Sequence, residues 1–241
     1  MVNKAQLFSS MNRVFHWAGI DFRRFPTRDQ RVLLQYLKDN HVTDCFDVGA
    51  NTGQYAKILR ASGFQGNIFS FEPQSAAFEK LSRSARSDAR WYPYHMALGH
   101  TDGASVINIS KNSVSSSLLD INEFLIRAVP ETAHISQETI TVKRLDTFVR
   151  EIRSTNRLFL KIDAQGFESN ILEGAAGCFQ QIYALQLELS CVSLYNGEKL
   201  FDEMKQFVEA KGFYLSSIES GFIEPKSGRL LQVDAIFIKA L

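Results

Sequence analysis

The sequence predicts an α/β fold: a mostly parallel sheet with helices on both faces, closed by a C-terminal antiparallel strand pair. Three observations carry this. Strand-like and helix-like stretches alternate along the chain, which favours parallel strands joined by crossover helices. Leu158-Phe159-Leu160-Lys161-Ile162-Asp163 is an apolar run ending in an acid, the pattern of a central strand buried on both faces. The last β-like runs, Tyr214 to Ile218 and Asp234 to Lys239, read as the closing pair.

The elements follow in order. Leu7, Met11, Val14, Phe15 and Ala18 fall at helical spacing and predict an amphipathic helix ending near Gly19. It suits a lid or packing role, or a dock for a partner subunit in a homodimer. Pro26-Thr27-Arg28-Asp29 reads as a helix start, with Val32, Leu33, Tyr36 and Leu37 as its apolar stripe. Asp44 to Val48 is a short strand, Gly49 to Gly53 a turn, and Tyr55 to Arg60 opens a helix broken by Gly63 and Gly66. Asn67 to Phe71 is a second strand, stopped by Glu72-Pro73, and residues 74–87 a helix. Trp91 to Leu98 reads as a third strand with its exit loop, and Ser105 to Ile109 as another. Residues 110–138 form a long excursion with a helical piece near 121–128; such segments in compact domains are often functional. Thr139 to Lys143 alternates like a strand, and Leu145 to Ile152 reads as a helix. After Asp163 come a helix over 167–174, a strand from Tyr183 to Leu189 and a helix over 198–211.

The 241 residues carry 27 Lys and Arg against 26 Asp and Glu, a formal charge of +1. That balance gives no reason to expect a nucleic-acid or membrane-surface partner. Cys45, Cys178 and Cys191 are odd in number, lie in apolar contexts and form no CxxC pair, so buried free thiols in a reducing compartment are expected. No secretory signal is seen, and no window approaches the roughly 18 apolar residues of a spanning helix. A cytoplasmic protein without membrane insertion is the expectation.

Chemistry concentrates at Asp47-Val48-Gly49-Ala50-Asn51-Thr52-Gly53, placed between a strand and a helix. Ligands of open α/β sheets bind beyond the carboxyl ends of the strands, and glycines let the backbone approach them. Glu72 ends the next strand, where an acid can accept both ribose hydroxyls of a nucleoside. A dinucleotide fold would prefer G-x-G-x-x-G, but position 51 is Asn, and the G-K-[ST] of a phosphate loop is absent. Class I methyltransferases use a looser glycine turn, because their cofactor has no pyrophosphate to cradle.

Several separated segments resemble the FkbM family of S-adenosylmethionine-dependent methyltransferases. They are Phe46 to Tyr55, Phe71-Glu72-Pro73, Ala97-Leu98-Gly99, Arg144 to Phe148, Leu160 to Glu168, Leu185 to Glu188 and Leu231 to Phe237. Their order over roughly residues 44–239 is what makes the resemblance specific. It implies a Rossmann-like class I methyltransferase fold over residues 41–241, preceded by a helical extension over 1–40. It implies O-methylation, as in polysaccharide, glycolipid and natural-product pathways. It further implies that Asp47, Gly49, Ala50, Asn51 and Gly53 surround the methionine end of the cofactor, and that Glu72, followed by Pro73, holds its ribose. Ala97 and Leu98 would lie near the adenine, and Asp163 near the sulfonium. The family commonly has Asp-Val-Glu-Gly where this chain has Asp163-Ala164-Gln165-Gly166, and Gln165 cannot act as a base.

A sugar hydroxyl is a poor nucleophile while protonated, so a base is useful. Asp163, Glu168, Glu188 and His95 are the candidates, each with a plainer alternative. Asp163 could bind the cofactor's amino group through Lys161, Glu168 could cap its helix, Glu188 could sit in an ion pair, and His95 could be a hydrogen-bonded structural group. No HxxH or HExxH pattern indicates a metal; Asp163, Glu168, Glu188 and Asp234 could converge as hard oxygen ligands. Asn112, Ser115-Ser116-Ser117, Trp91, Tyr92 and Tyr195 suit a polyhydroxyl acceptor. The expected function is S-adenosylmethionine-dependent methylation of a sugar hydroxyl on a glycan, glycolipid or glycosylated metabolite. A non-sugar natural-product hydroxyl, or a non-catalytic or NAD-type nucleotide-binding protein, is the alternative.

Overall fold

The computed structural model describes residues 25–240. The helix expected to end near Gly19 lies outside the described residues. Helix α1 (Arg28–Asp39) starts at a capping box: the Thr27 hydroxyl accepts from the Gln30 amide, and the Gln30 side chain accepts from the Thr27 amide. Then follow β1 (Val42–Val48), α2 (Gln54–Ala61), β2 (Asn67–Phe71), α3 (Ser75–Ala85) and β3 (Trp91–Tyr94). Strands β4 (Ala97–Gly99) and β5 (Gly103–Ser110) precede α4 (Glu123–Ala128), β6 (His134–Arg144) and α5 (Leu145–Glu151). The chain continues through β7 (Arg157–Ile162), α6 (Glu168–Gly174), β8 (Ile182–Ser190), α7 (Phe201–Glu209), β9 (Phe213–Ser220) and β10 (Gln232–Lys239).

Seven strands form the main sheet in the order β3-β2-β1-β7-β8-β10-β9. The first five in that order are parallel, and β10 runs antiparallel to both β8 and β9. After β3 the chain returns to the far side of β1, so strand order reverses between β1 and β7. At that reversal the loops leaving the two strands diverge and open a crevice, the usual ligand position in such sheets.

Alternation along the strands sends the two apolar sets to opposite faces. Phe46, Val48, Leu160, Ile162, Leu185 and Leu187 pack with Leu145 and Phe148 of α5, Ile171 and Leu172 of α6, and Met204 and Val208 of α7. Cys45, Ile68, Phe159 and Ala184 pack with Leu33 and Leu37 of α1, Ala56 and Leu59 of α2, and Leu81 of α3. Each fully buried Leu or Phe contributes about 1.5–3 kcal/mol, so both faces are needed to offset chain entropy.

The stretch expected as a strand with its exit loop, Trp91 to Leu98, holds one strand and enters a second. β3 pairs with β2, the chain turns at His95-Met96, and β4 joins a second sheet of order β4-β6-β5. That sheet has its own core of Ala97, Ile107, Ile140 and Val142. The excursion ends earlier than expected, because β6 begins at His134. Its Ile121 and Leu125 pack on Leu194, Tyr195 and Leu231, which folds the excursion over the carboxyl end of the main sheet.

Helix α6 meets β4 with no room for a side chain. A Cβ built on Gly174 would lie 1.9 Å from the Gly99 carbonyl oxygen, backbone against backbone. Gly174→Ala should therefore cost about 3 kcal/mol, the upper end for overpacking, read as a lower urea midpoint. Gly197→Ala meets nothing within 4 Å but sits at φ +82° and should cost only about 1–2 kcal/mol. Equal midpoints for the two variants would contradict the close packing.

Candidate active site

The floor of the crevice is a polar row crossing the sheet. Register places Ser70 of β2 beside Asp47 of β1, Asp47 beside Lys161 of β7, and Lys161 beside Gln186 of β8. The Trp91 indole donates to the Ser70 hydroxyl at 2.9 Å, and that hydroxyl donates to Asp47 Oδ2 at 3.1 Å. Asp47 is fully buried, and its Oδ1 faces Lys161 Nζ at 3.5 Å as an ion pair without an aligned hydrogen bond. Lys161 Nζ also donates to Asp163 Oδ2 at 3.3 Å, and it sits 5.3 Å from the Tyr55 ring centre. Burial alone would lower the Lys161 ammonium; Asp163, Asp47 and Glu188 outweigh it and raise it. Burial pushes Asp47 up, against the opposing pull of Lys161 and the Ser70 hydroxyl. The Tyr55 hydroxyl donates to Gln186 Oε1 at 2.7 Å and closes the row.

Above the row lies the glycine turn. The Gly49 and Ala50 amides both donate to the Phe71 carbonyl, at 3.1 and 3.0 Å. Gly49 holds φ +74°, and a Cβ there would stand 1.8 Å from the Asp163 carbonyl oxygen, so only glycine fits. Asn51, at φ +47°, points its amide at Glu72 Oε2 (2.8 Å), while the Gln74 amide takes Glu72 Oε1 (2.8 Å). Glu72 is buried, and burial pushes its carboxyl up to about 7 despite those two donors. A cavity of about 340 Å³ opens here, lined by Gly49, Ala50, Asn51, Glu72, Pro73, Ala97, Leu98 and Asp163 among others.

A second cavity of about 240 Å³ shares Val114, Asp163 and Gln165 with the first and is otherwise lined by Glu188, Gln232, Tyr195, Phe222 and more of the excursion. Gln165 is its hub. Its Nε2 donates to Asp163 Oδ1 (2.9 Å) and Glu188 Oε2 (2.5 Å), and its Oε1 accepts from the Tyr195 hydroxyl (2.6 Å). Gln232 Nε2 adds a second donor to Glu188 Oε2 at 3.0 Å. Burial, then the charges of Asp163, Glu168 and Asp234, hold the Glu188 carboxyl well above its ordinary range. Asp234, opposite Glu188 in register, is pushed up by burial and by Asp163.

The family model for the methyltransferase FkbM domain matches residues 47–215. The chain belongs to the FkbM methyltransferase family. No curated protein matches it. Among solved structures it is similar to an rRNA methylase from Streptococcus thermophilus, at 10% identity over 92% of this chain and 100% of the other, with a TM-score of 0.49. It is also similar to magnesium protoporphyrin IX methyltransferase from Synechocystis with bound S-adenosylmethionine, at 8% identity over 97% of each chain and a TM-score of 0.44. The assignment rests on the family match. This FkbM methyltransferase uses S-adenosylmethionine as its cofactor.

The first cavity fits that cofactor. It pairs close backbone approach at Gly49 with a buried carboxylate at Glu72 and apolar walls at Ala97 and Leu98. Acids outnumber the one buried ammonium beneath it, which suits a cationic sulfonium. Two residues expected to line it do not. Asp47 lies under the floor against Lys161, and Gly53 (φ +87°) backs onto the Trp91 ring. Tyr55, Gln54 and Gln186 line it unannounced.

Of the expected bases, Asp163 and Glu188 face the second cavity and two candidates face neither. Glu168 turns back onto its own loop, where Oε1 accepts from the Ala164 (2.9 Å) and Gly166 (3.2 Å) amides, and burial pushes it up to about 8. In this position it caps its own loop. His95 stacks on Phe78 at 4.6 Å and pairs its Nε2 with the Pro73 carbonyl at 3.0 Å, outside both cavities. Among the described residues no group of three or more His, Cys, Asp or Glu is placed to hold a metal, so Asp163, Glu168, Glu188 and Asp234 do not form a set of hard oxygen ligands there. No described helix is long and apolar enough to cross a membrane.

The floor makes a stability prediction. Lys161→Met leaves Asp47 buried without a counter-charge and should cost about 3–5 kcal/mol. Adding Asp47→Asn should return much of that loss in chemical denaturation. A double mutant as unstable as the single would show that the two side chains are not coupled.

Proposed function

We propose that this enzyme methylates a hydroxyl of an uncharged, sugar-bearing acceptor held in the second cavity. The observation that carries this reading is the lining. Asn112, Ser115, Thr132, Gln165, Tyr195 and Gln232 offer hydroxyls and amides, Val114, Leu125, Val129 and Phe222 offer apolar surface, and among the described residues no Lys or Arg lines it. A phosphate-bearing acceptor such as RNA needs cationic partners, and here Asp163 and Glu188 would repel it.

The residue roles follow from placement. The Glu72 carboxylate, already oriented by two backbone amides, accepts the ribose hydroxyls. Ala97 and Leu98 pack on the adenine. Asp163, paired to Lys161 and Gln165, presents negative charge between the cavities. Bound there, S-adenosylmethionine supplies an electrophilic methyl group. Glu188 takes the proton from the acceptor hydroxyl as the oxygen gains its methyl; a carboxyl titrating above its ordinary range is better matched to that task at neutral pH. Orientation of the acceptor against the cofactor contributes on the order of 7–11 kcal/mol in favourable cases.

Transfer of radiolabelled methyl to a panel of neutral glycosides, glycolipids, polyketide alcohols, phosphorylated sugars and RNA tests the acceptor. Label is expected in neutral glycosides or glycolipids. Label confined to RNA or phosphorylated sugars overturns the reading, and label confined to polyketide alcohols moves it to a non-sugar hydroxyl.

Two further outcomes are expected. Glu188→Gln should lower kcat about 10²- to 10⁴-fold with cofactor affinity little changed; full turnover would remove Glu188 as the base. Glu72 gives a pH signature. Its free carboxyl is protonated below about 7, and the ribose hydroxyls require the ionised form, so cofactor binding expels a proton and strengthens as pH rises through 7. S-adenosylhomocysteine should bind about tenfold more weakly at pH 6 than at pH 8. Glu72→Gln should bind weakly at both, and a pH-independent wild type would contradict the ribose role.

A further inference from the structure

We infer that Gln165 is a positioning residue for this reaction, whose side-chain amide fixes Glu188 at the wall of the second cavity and separates it from Asp163. The inference rests on the reading of Glu188 as the proton acceptor. Its geometry is independent of that reading. Gln165 holds φ +55°, a region that long side chains rarely adopt, and its loop is pinned there on both sides. The Ser117 hydroxyl donates to the Gln165 carbonyl at 2.7 Å, and Gly166, at φ +91°, lies where a Cβ would meet the Tyr195 side chain at 2.9–3.0 Å.

The orientation of the amide follows from chemistry. Ionised carboxylates only accept hydrogen bonds, so with Asp163 and Glu188 both ionised, the state in which Glu188 can take a proton, the NH₂ group faces the two acids. That leaves the carbonyl oxygen to the Tyr195 hydroxyl, which burial keeps protonated and therefore a donor. One neutral side chain thus gives one proton to each acid and spends its acceptor on an anchor. Glu188 Oε2 is occupied by Gln165 and Gln232. Oε1 carries the remaining capacity.

The groups facing Glu188 are Asp163 and Lys161 from β7 and its loop, Glu168 from α6, Asp234 and the neutral Gln232 from β10, and the Tyr195 hydroxyl beyond β8. Acids already outnumber the one lysine. A carboxylate at position 165 would add a third charge in direct contact with two others, and one of them would take up a proton. An amide of the same shape avoids this.

The test is the titration of Glu188 in the full chain, read from ¹³C-carboxyl-labelled glutamate with its resonance identified by its loss in Glu188→Gln. In Gln165→Glu the Glu188 titration midpoint should move up by about one pH unit or more, and the acid limb of the kcat/KM profile should move with it. Gln165→Met, neutral and without donors, should move the midpoint in the same direction by less, and thermal unfolding confirms that each variant is folded. A midpoint unmoved in folded Gln165→Glu, or in Gln165→Met should the charged variant not fold, overturns the inference. Full turnover of Glu188→Gln would sink the base reading while leaving the titration result intact, so the two fail separately.

Discussion

Lys161 is the constraint on which the crevice depends. It is a buried ammonium in the central strand, and it is tolerable only because Asp47 and Asp163 stand within 3.5 Å. Desolvation of three charges is expensive, and hydrophobic replacements often match or exceed the stability of such groups. What the arrangement provides instead is placement. The pair ties β1 to β7 at the point where strand order reverses, and the Asp163 carbonyl stands so close to Gly49 that no side chain could intervene. The glycine turn is therefore fixed from below by charge and from the side by steric contact.

The same row sets the electrostatics of the cavities above it. Asp47, Asp163, Glu188 and Asp234 share one lysine, and the excess of negative charge is held partly in check by amides: Gln165, Gln186 and Gln232. A cationic cofactor relieves that excess on one side. On the other side a carboxyl that ionises reluctantly is a stronger base once ionised than an ordinary one. The division between the cavities is thus one of charge state as well as shape, with Asp163 and Gln165 common to both walls.

Much of this was legible in the sequence, and the reason differs from residue to residue. β2 falls where its apolar run is flanked by Gly66 and Pro73. Lys161 interrupts the apolar run of β7, and Asp47 is the penultimate residue of a strand that also holds Thr43 and Asp44; only register pairs the two. Where placement departs from expectation the cause is shared: sequence gives a residue's position but not its side-chain direction. Glu168 and His95 have base chemistry near strand ends, yet Glu168 turns to its own loop amides and His95 to Phe78 and Pro73. Likewise Trp91 to Leu98 has a continuous strand composition, and only the pairing of β4 with β6 shows that it serves two sheets.

The excursion was the hardest part to read, because its order comes from contacts distant in sequence. Ile121 pairs with Tyr195 in an isolated bridge, Ser117 with Asn108, and the Asn122 amide donates to the Leu194 carbonyl. Neither hydrophobic period nor turn chemistry announces such contacts. Their consequence is a separation of duties in the fold. The first cavity is built largely on strand ends and the glycine turn, whose geometry the sheet and its ion pair impose. The second cavity is built largely from irregular chain laid over those ends. Substitutions in the excursion can therefore reshape the second cavity without disturbing the Asp47–Lys161 floor, whereas a change in the floor must disturb both cavities, since Asp163 belongs to each.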